Sequence, residues 1–146
     1  MIRGVIVREA PYSEDSRGWL LKALPKAFIG GSEFGEIYLS GARPGETKGI
    51  HYHDRTTEWF CVIQGEGTLY LDDIESGETM TVRMSRAGRI SVEIPPRVAH
   101  AIRNEGDQEM ILLAFANIPY DPGSPDTFPW KFPTLNIRAG NDPSGP

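Results

Sequence analysis

Three histidines and one glutamate are the residues of this chain whose types and spacing point most directly to chemistry. His51 and His53 are separated by one residue, Glu58 follows shortly after, and His100 lies much further along the chain. They include all 3 histidines of the protein. Imidazole nitrogens and a carboxylate oxygen suit zinc, iron, nickel, copper or manganese, so the set is a candidate metal site.

Strand geometry could bring these four side chains together. Successive residues of a strand point to opposite faces, so His51 and His53 are expected to project from the same face. A neighbouring strand must then supply Glu58 and His100, as the mouth of a small closed barrel can do. The alternative is that the histidines are incidental, hydrogen-bonded polar residues of a strand.

The elements that would hold these residues resemble the two motifs of the cupin superfamily. The first motif is matched by Gly45, His51, His53, Glu58 and Gly65. The second is matched by Gly88, Pro95, His100 and Asn104, with Arg97 where cupins usually carry a glycine. The resemblance implies an all-β, double-stranded β-helix (jelly-roll, cupin) barrel. It also implies a divalent ion on His51, His53, Glu58 and His100, with zinc expected first and iron, nickel or manganese as alternatives.

Length and composition fit one ordinary globular domain. The chain has 146 residues, of which 39% are hydrophobic and 24% charged. No apolar run approaches the length of about 20 residues that a membrane span needs, and no secretory signal is visible. Cys61 is the single cysteine, which excludes an internal disulfide, and its apolar neighbours favour core packing. We therefore expect a cytoplasmic protein that spans no membrane.

The net charge of −5 argues against general nucleic-acid binding, which requires a basic surface. A single phosphorylated ligand held by a few arginines remains compatible with this charge.

Many short β-rich runs separated by turn residues predict a barrel or sandwich of the jelly-roll kind. A hairpin is expected with Ser76 and Gly77 at or near its turn. The predicted strands are 4–8, 19–24, 35–40, 49–53, 58–63, 68–72, 79–84, 90–94, 100–103 and 110–116.

The C-terminal part changes character after Ile118. A strap, residues 119–133, is rich in proline and aromatic residues, and we expect it to pack across the barrel in extended form through Phe128, Trp130 and Phe132. Residues 1–133 are thus predicted to form the domain. Residues 134–146 are predicted to be a flexible tail, of which the last nine are disordered.

Four segments, two of which lie within the cupin motifs, resemble dTDP-4-dehydrorhamnose 3,5-epimerases. These are the Asp-x-Arg-Gly segment at Asp15, the sequence KGIHYH, the sequence EIPPRVAHAI, and Tyr120 followed by Asp-Pro. The first-motif ligands and the exit sequence FANIPYDPGSPDTF are similar to the cupin epimerase domain of capsular polysaccharide UDP-sugar reductase/epimerases. The resemblance implies epimerisation at C3 of a UDP- or dTDP-linked 4-keto-6-deoxy hexose.

The same resemblance assigns roles to residues. Arg17 and Lys48 stand where relatives bind the nucleotide diphosphate, although each could equally be a solvated surface charge. Tyr120 stands at the position of the catalytic tyrosine, although a tyrosine in such a strap is often an amphipathic anchor. A homodimer is expected in which Arg17 serves the partner's site, and the apolar run 19–21 is compatible with a buried edge.

Two mechanisms follow, because a histidine bound to metal cannot accept a proton. With metal, the proton carriers would be Tyr120, Glu36, Asp54 or a coordinated water. Without metal, the resemblance to the rhamnose-pathway epimerases implies His51 as the base and Tyr120 as the acid, with His100 also in the site.

A nucleotide-sugar 3,4-ketoisomerase, a metal-dependent cupin dioxygenase and a non-catalytic sugar-binding cupin are the alternative functions, because the barrel alone does not decide the activity.

Overall fold

The computed structural model describes residues 1–135, and 12 strands and one short helix lie within them. Their bounds are β1 Ile6–Glu9, β2 Tyr12–Asp15, β3 Gly18–Leu21, α1 Lys26–Ile29, β4 Glu36–Ala42, β5 Thr47–Tyr52, β6 Glu58–Gln64, β7 Glu66–Asp73, β8 Thr79–Ser85, β9 Ile90–Ile94, β10 Val98–Asn104, β11 Met110–Ala116 and β12 Phe128–Pro129. Among the described residues no helix has the length and apolar character that crossing a membrane would require.

Two five-stranded antiparallel sheets face each other and form the barrel. One has the strand order β1-β9-β6-β11-β4, and the other has the order β12-β5-β10-β7-β8. Phe60 and Val62 of the first sheet and Leu69 and Leu71 of the second belong to one buried apolar cluster. The core therefore lies between the sheets, and the predicted all-β jelly-roll barrel is confirmed.

A β-bulge in β5 directs His51 into the barrel. His51 pairs with His100 while Gly49 pairs with Ala101, so Ile50 is an extra residue. Gly49 has φ 88° and Ile50 has φ 69°, an unfavourable conformation for a β-branched side chain. Ile50 packs in an apolar cluster with Ala101 and other residues, whereas His51 lines an open cavity of the barrel. The strained backbone at the bulge thus lets two adjacent residues have different roles, with Ile50 in apolar packing and His51 in the site.

The strap packs against the second sheet as expected. Its β12 pairs with β5, and Trp130 Nε1 donates a hydrogen bond to Asp72 at 3.0 Å. Phe132 is buried beside Ile50. Leu135 is also buried, so the packed chain extends beyond the predicted boundary at residue 133. The remainder of the predicted tail lies outside the described residues.

All ten predicted strands are present, β9 and β11 with the predicted bounds and the other eight with shifted ends, and three elements were missed. β2 carries Ser13, Glu14 and Asp15 and has little apolar character. β12 is two residues long and includes a proline, while α1 has a single turn. The predicted hairpin between β7 and β8 is confirmed, with Gly77 at φ 77° in its turn.

An arm, residues 12–21, is formed by β2 and β3 and pairs with neither barrel sheet. Trp19 and Leu20 are 50% and 55% exposed, so in the single chain the apolar run 19–21 is not buried as an edge. Arg86 lies over the Trp19 ring, with its guanidinium carbon 4.6 Å from the ring centroid.

Candidate functional site

The barrel gathers His51, His53, Glu58 and His100 into one candidate metal cluster. His51 lies on β5, Glu58 begins β6, and His100 lies on β10. One ligand atom from each residue can be chosen such that all four lie within 4.8 Å of one another. The ring centroid of His51 is 4.9 Å from that of His53 and 4.8 Å from that of His100. Residues distant in sequence therefore converge as the spacing predicted.

Backbone carbonyls orient two of the imidazole rings. His53 Nδ1 lies 2.6 Å from the carbonyl oxygen of Asp126, and His100 Nδ1 lies 3.1 Å from that of Val98. A carbonyl oxygen can only accept, so Nδ1 of each ring carries a proton and donates it. Both rings therefore direct Nε2 toward Glu58 at the centre of the cluster.

Glu58 occupies the centre of the cluster and is 2% exposed. Its Oε1 accepts a hydrogen bond from His53 Nε2 and lies 3.4 Å from His100 Nε2. Its Oε2 accepts a hydrogen bond from the hydroxyl of Tyr38. Burial alone would raise the pKa of Glu58, but the two imidazoles outweigh burial and lower that pKa. Glu58 is therefore an anion at neutral pH.

The pKa values of the groups around Glu58 shift in the opposite direction. Burial opposes a charged His53, yet the hydrogen bond and negative charge of Glu58 raise the pKa of that imidazole. Burial and the charge of Glu58 raise the pKa of Tyr38, so its hydroxyl stays protonated and donates to Glu58. The proton on His53 Nε2 thus lies where a metal ion would contact the same nitrogen.

The cluster fits a divalent ion. His100 Nε2 is buried and has no hydrogen-bond partner within residues 1–135, which a metal ion at this position would correct. Three neutral imidazoles and one carboxylate match the ligands of zinc and other first-row ions, and the backbone carbonyls supply the usual outer contacts. The ligand roles of the four residues remain a prediction.

A cavity of about 740 Å³ opens beside the cluster, a volume typical of small-molecule sites. Three of the four candidate ligands line it, and the strap and the edge strand β4 form its walls. The lining residues include Glu36, Tyr38, Leu39, His51, His53, Arg55, Thr56, Glu58, Ile118, Tyr120, Asp121, Pro125, Asp126 and Thr127.

The structure places two of the predicted proton carriers at this cavity. Tyr120 lines it and is 64% exposed. The backbone N–H of Tyr120 donates a hydrogen bond to Glu36 Oε1 at 3.0 Å. Glu36 and Tyr120 are therefore neighbours at the cavity, where a substrate could contact both.

Three other predicted residues do not line this cavity. Arg17 lies on the arm, is paired with Asp15 at 2.7 Å and has an 88% exposed side chain. Lys48 lines a separate small cavity behind His51. Asp54 is paired with Arg97 at 2.7 Å on the surface, so its position does not support a role in proton transfer.

Three residues of the site were missed from the sequence. Tyr38 contacts Glu58, Arg55 lines the cavity, and Asp126 holds His53. Tyr38 shares a strand face with Glu36, but nothing in the sequence places that face inside the barrel. The Pro-Asp-Thr segment at Asp126 was noticed as a resemblance without a role.

Comparison with known proteins places the chain in a family. Residues 13–128 match the model of the polysaccharide biosynthesis C-terminal domain family. A UDP-2-acetamido-2,6-β-L-arabino-hexul-4-ose reductase of Pseudomonas aeruginosa is 31% identical over 82% of this chain. The chain spans only 31% of that reductase. The spore coat polysaccharide biosynthesis protein SpsL of Bacillus subtilis is 28% identical over 94% of this chain and 96% of its own length.

Solved structures agree with this assignment. A dTDP sugar isomerase from Desulfovibrio desulfuricans has a TM-score of 0.81 and 26% identity over 98% of this chain and 96% of its own. The 4-keto-6-deoxy sugar epimerase NovW of Streptomyces spheroides has a TM-score of 0.75 over 84% of this chain and 67% of its own. Its sequence is 21% identical, so this similarity shows a shared fold. The similarity to the dTDP sugar isomerase supports the expectation of an isomerase-type enzyme. This chain belongs to the polysaccharide biosynthesis C-terminal domain family and has a cupin-like jelly-roll barrel.

Proposed function

We propose that this chain is an epimerase acting at C3 of a UDP- or dTDP-linked 4-keto-6-deoxy hexose. The observation that carries the proposal is the cavity of about 740 Å³ that is lined by His51, His53 and Glu58. Family membership and the similarity to sugar epimerases and isomerases support the same class of substrate.

The chemistry requires three kinds of group. The C3 proton lies next to the C4 carbonyl, so its removal gives an enolate whose negative charge must be stabilised. Inversion at C3 then requires a base on one face of the sugar and an acid on the other. When bound, a divalent ion would supply positive charge at the C4 oxygen as a Lewis acid.

The residues of this chain divide the remaining tasks. The imidazoles of His51, His53 and His100 would hold the ion, so they are not available for proton transfer. Glu36 and Tyr120 both line the cavity, and we assign one of them to remove the C3 proton and the other to return a proton on the opposite face of the sugar. In a metal-free enzyme His51 would be the base and Tyr120 the acid, and this second form is retained for testing.

Binding of the diphosphate requires cations near the cavity. Arg55 lines it, whereas Arg17 and Lys48 do not within one chain. A homodimer would allow the arm to place Arg17 at the cavity of the partner. The position of β4 at the end of its sheet, with Ile37 and Leu39 exposed, supports an interface there.

A 3,4-ketoisomerase is the second candidate, supported by the similarity to the dTDP sugar isomerase. That reaction begins with the same removal of the C3 proton. The proton then returns to C4 while the hydroxyl proton of O3 passes to O4, so the carbonyl moves to C3 and no atoms are gained or lost. The two activities therefore differ in the carbon that receives the proton.

NMR of the sugar nucleotide in D2O distinguishes these candidates. The protein, with and without added zinc, would be incubated with UDP- or dTDP-4-keto-6-deoxyglucose, beside a sample that contains no protein. Epimerisation predicts deuterium at C3, a new C3 configuration and a carbonyl that remains at C4. Ketoisomerisation predicts deuterium at C4 and a carbonyl at C3.

Two other outcomes would overturn the proposal. Protein-dependent consumption of oxygen with an iron- or nickel-loaded chain would indicate the dioxygenase alternative. Binding of the sugar nucleotide with no exchange of the C3 proton, with or without metal, would indicate a non-catalytic sugar-binding cupin.

A further inference from the structure

Asp126 joins the strap to the loop that follows β5. Its carboxylate accepts hydrogen bonds from the backbone N–H groups of Asp54 at 3.0 Å, Arg55 at 3.0 Å and Thr56 at 2.9 Å. It also accepts one from the Thr56 hydroxyl at 2.7 Å. The Asp126 side chain is 11% exposed. Four donors on one sheltered carboxylate fix both its position and the course of the strap.

The backbone of the same residue contacts a candidate metal ligand. The carbonyl oxygen of Asp126 accepts a hydrogen bond from His53 Nδ1 at 2.6 Å. Thr127 Oγ1 lies further from the same nitrogen, at 3.5 Å. Because the carbonyl accepts the Nδ1 proton, His53 presents its other nitrogen, Nε2, to Glu58 and the cluster.

We propose that Asp126 is a positioning residue for metal binding. Its carboxylate docks the strap on residues 54–56, and this docking holds its own carbonyl against His53 so that Nε2 is ready to coordinate. The inference rests on the metal site of the proposed function and adds the strap as a part of that site. It also gives the Pro-Asp-Thr segment a physical role.

The contact also couples the metal site to the wall of the cavity. Pro125, Asp126 and Thr127 line the cavity, so the segment that orients His53 also shapes the space for substrate. This coupling is reciprocal. If docking of the strap strengthens metal binding, metal binding must stabilise the docked strap by the same free energy. Metal binding should therefore slow hydrogen exchange at the amides of residues 54–56, which donate to Asp126.

The test compares Asp126→Ala with Asp121→Ala in the full chain. Asp121 belongs to the same strap, but its carboxylate accepts from Gly123 N–H at 2.9 Å within its own turn. Zinc affinity would be measured by competition with a chelator, and Asp126→Ala should bind zinc about 10- to 100-fold more weakly, as for the loss of other outer contacts of metal ligands. Asp121→Ala should keep the wild-type affinity.

A second measurement does not depend on metal. In 15N-edited NMR of the zinc-free protein, the His53 Nδ1 proton should exchange slowly with water, and Asp126→Ala should lose this signal. Wild-type zinc affinity in Asp126→Ala, or an unchanged Nδ1 signal, would overturn the positioning role. If Asp126→Ala does not fold, Asp126→Asn keeps the side-chain size and should show a smaller loss in the same direction; no loss would again overturn the role.

These readouts separate the inference from the proposed function. Neither uses a sugar nucleotide, so a failure of the epimerase assay leaves both unaffected. If the wild-type chain binds no zinc, the claim about metal binding is overturned, and the NMR signal decides whether Asp126 still positions His53.

Discussion

The Tyr38 hydroxyl donates a hydrogen bond to one carboxylate oxygen of Glu58, while the other oxygen faces His53 and His100. The pKa of Tyr38 is raised by burial and by the charge of Glu58, so the hydroxyl remains a donor at neutral pH. Tyr38 thus fixes which oxygen of Glu58 faces the histidines.

Replacing Tyr38 by phenylalanine should weaken zinc binding about 10-fold, because Glu58 would lose the contact that orients it. Affinity by chelator competition is the measurement. Tyr70→Phe is the matched control, since Tyr70 packs in the apolar cluster on the other face of its sheet. Equal affinities of the two variants would show that Tyr38 does not orient Glu58.

Arg55 should contribute to binding of the nucleotide diphosphate, because it is a permanent cation at the cavity. Arg55→Ala is expected to weaken UDP or dTDP binding about 10-fold, the loss of about 1.4 kcal/mol, as measured by calorimetry. Arg83→Ala removes an exposed arginine of β8 and should leave the affinity unchanged. Wild-type affinity in Arg55→Ala would remove Arg55 from the binding site.

Arg97 stands where the cupin motif usually has glycine, and it adopts φ 65°, a conformation that favours glycine. Its guanidinium contacts Asp54 and Glu75, both at 2.7 Å. These exposed ion pairs add little stability, while the left-handed backbone disfavours any residue other than glycine. The arginine therefore keeps a backbone cost that glycine would not have.

Arg97→Gly should therefore be more stable than Arg97→Ala by about 1 kcal/mol in urea unfolding, since both lose the ion pairs and only alanine keeps the backbone cost. At Arg83, which lies within β8, the order of stability should reverse. Arg83→Ala should be more stable than Arg83→Gly because glycine weakens a strand. The same order at both positions would contradict the role assigned to the backbone of Arg97.

Cys61 is fully buried, and burial raises the pKa of its thiol from 9.0 to about 11. The native protein should therefore resist alkylation by iodoacetamide at pH 8 and react rapidly in urea. The thiol ionises more readily in the unfolded chain. The contribution of Cys61 to the free energy of unfolding is therefore at its full value below pH 9.0 and decreases as pH rises toward about 11. Comparable alkylation rates with and without urea would contradict this burial; Cys61→Ala is the blank.

Patterns in the sequence predicted the barrel and the meeting of His51, His53, Glu58 and His100. Alternation along strands indicated the all-β fold, and the resemblance of two segments to the cupin motifs implied that the four residues meet. The bulge at Ile50 was not predicted, since nothing in the residue type announces a positive φ at a β-branched side chain. Contacts of Tyr38 and Asp126 were missed because they join segments far apart in sequence.

Arg17 and Lys48 show a second reason why sequence patterns did not predict the whole site. Their roles came from resemblance alone, and neither lines the cavity of the single chain. The arm that carries Arg17 pairs with neither barrel sheet, so its place relative to a cavity depends on an assembly that local patterns do not specify.

Binding of one divalent ion by His51, His53, Glu58 and His100 underlies the proposed chemistry. Elemental mass spectrometry of the chain purified without a histidine tag, beside His53→Ala and the neighbouring surface variant Asp54→Asn, tests it most directly. We predict about one zinc or similar ion per chain in the wild type and in Asp54→Asn, and a loss in His53→Ala. No metal in the wild type after reconstitution, or a full ion in His53→Ala, would contradict the metal site.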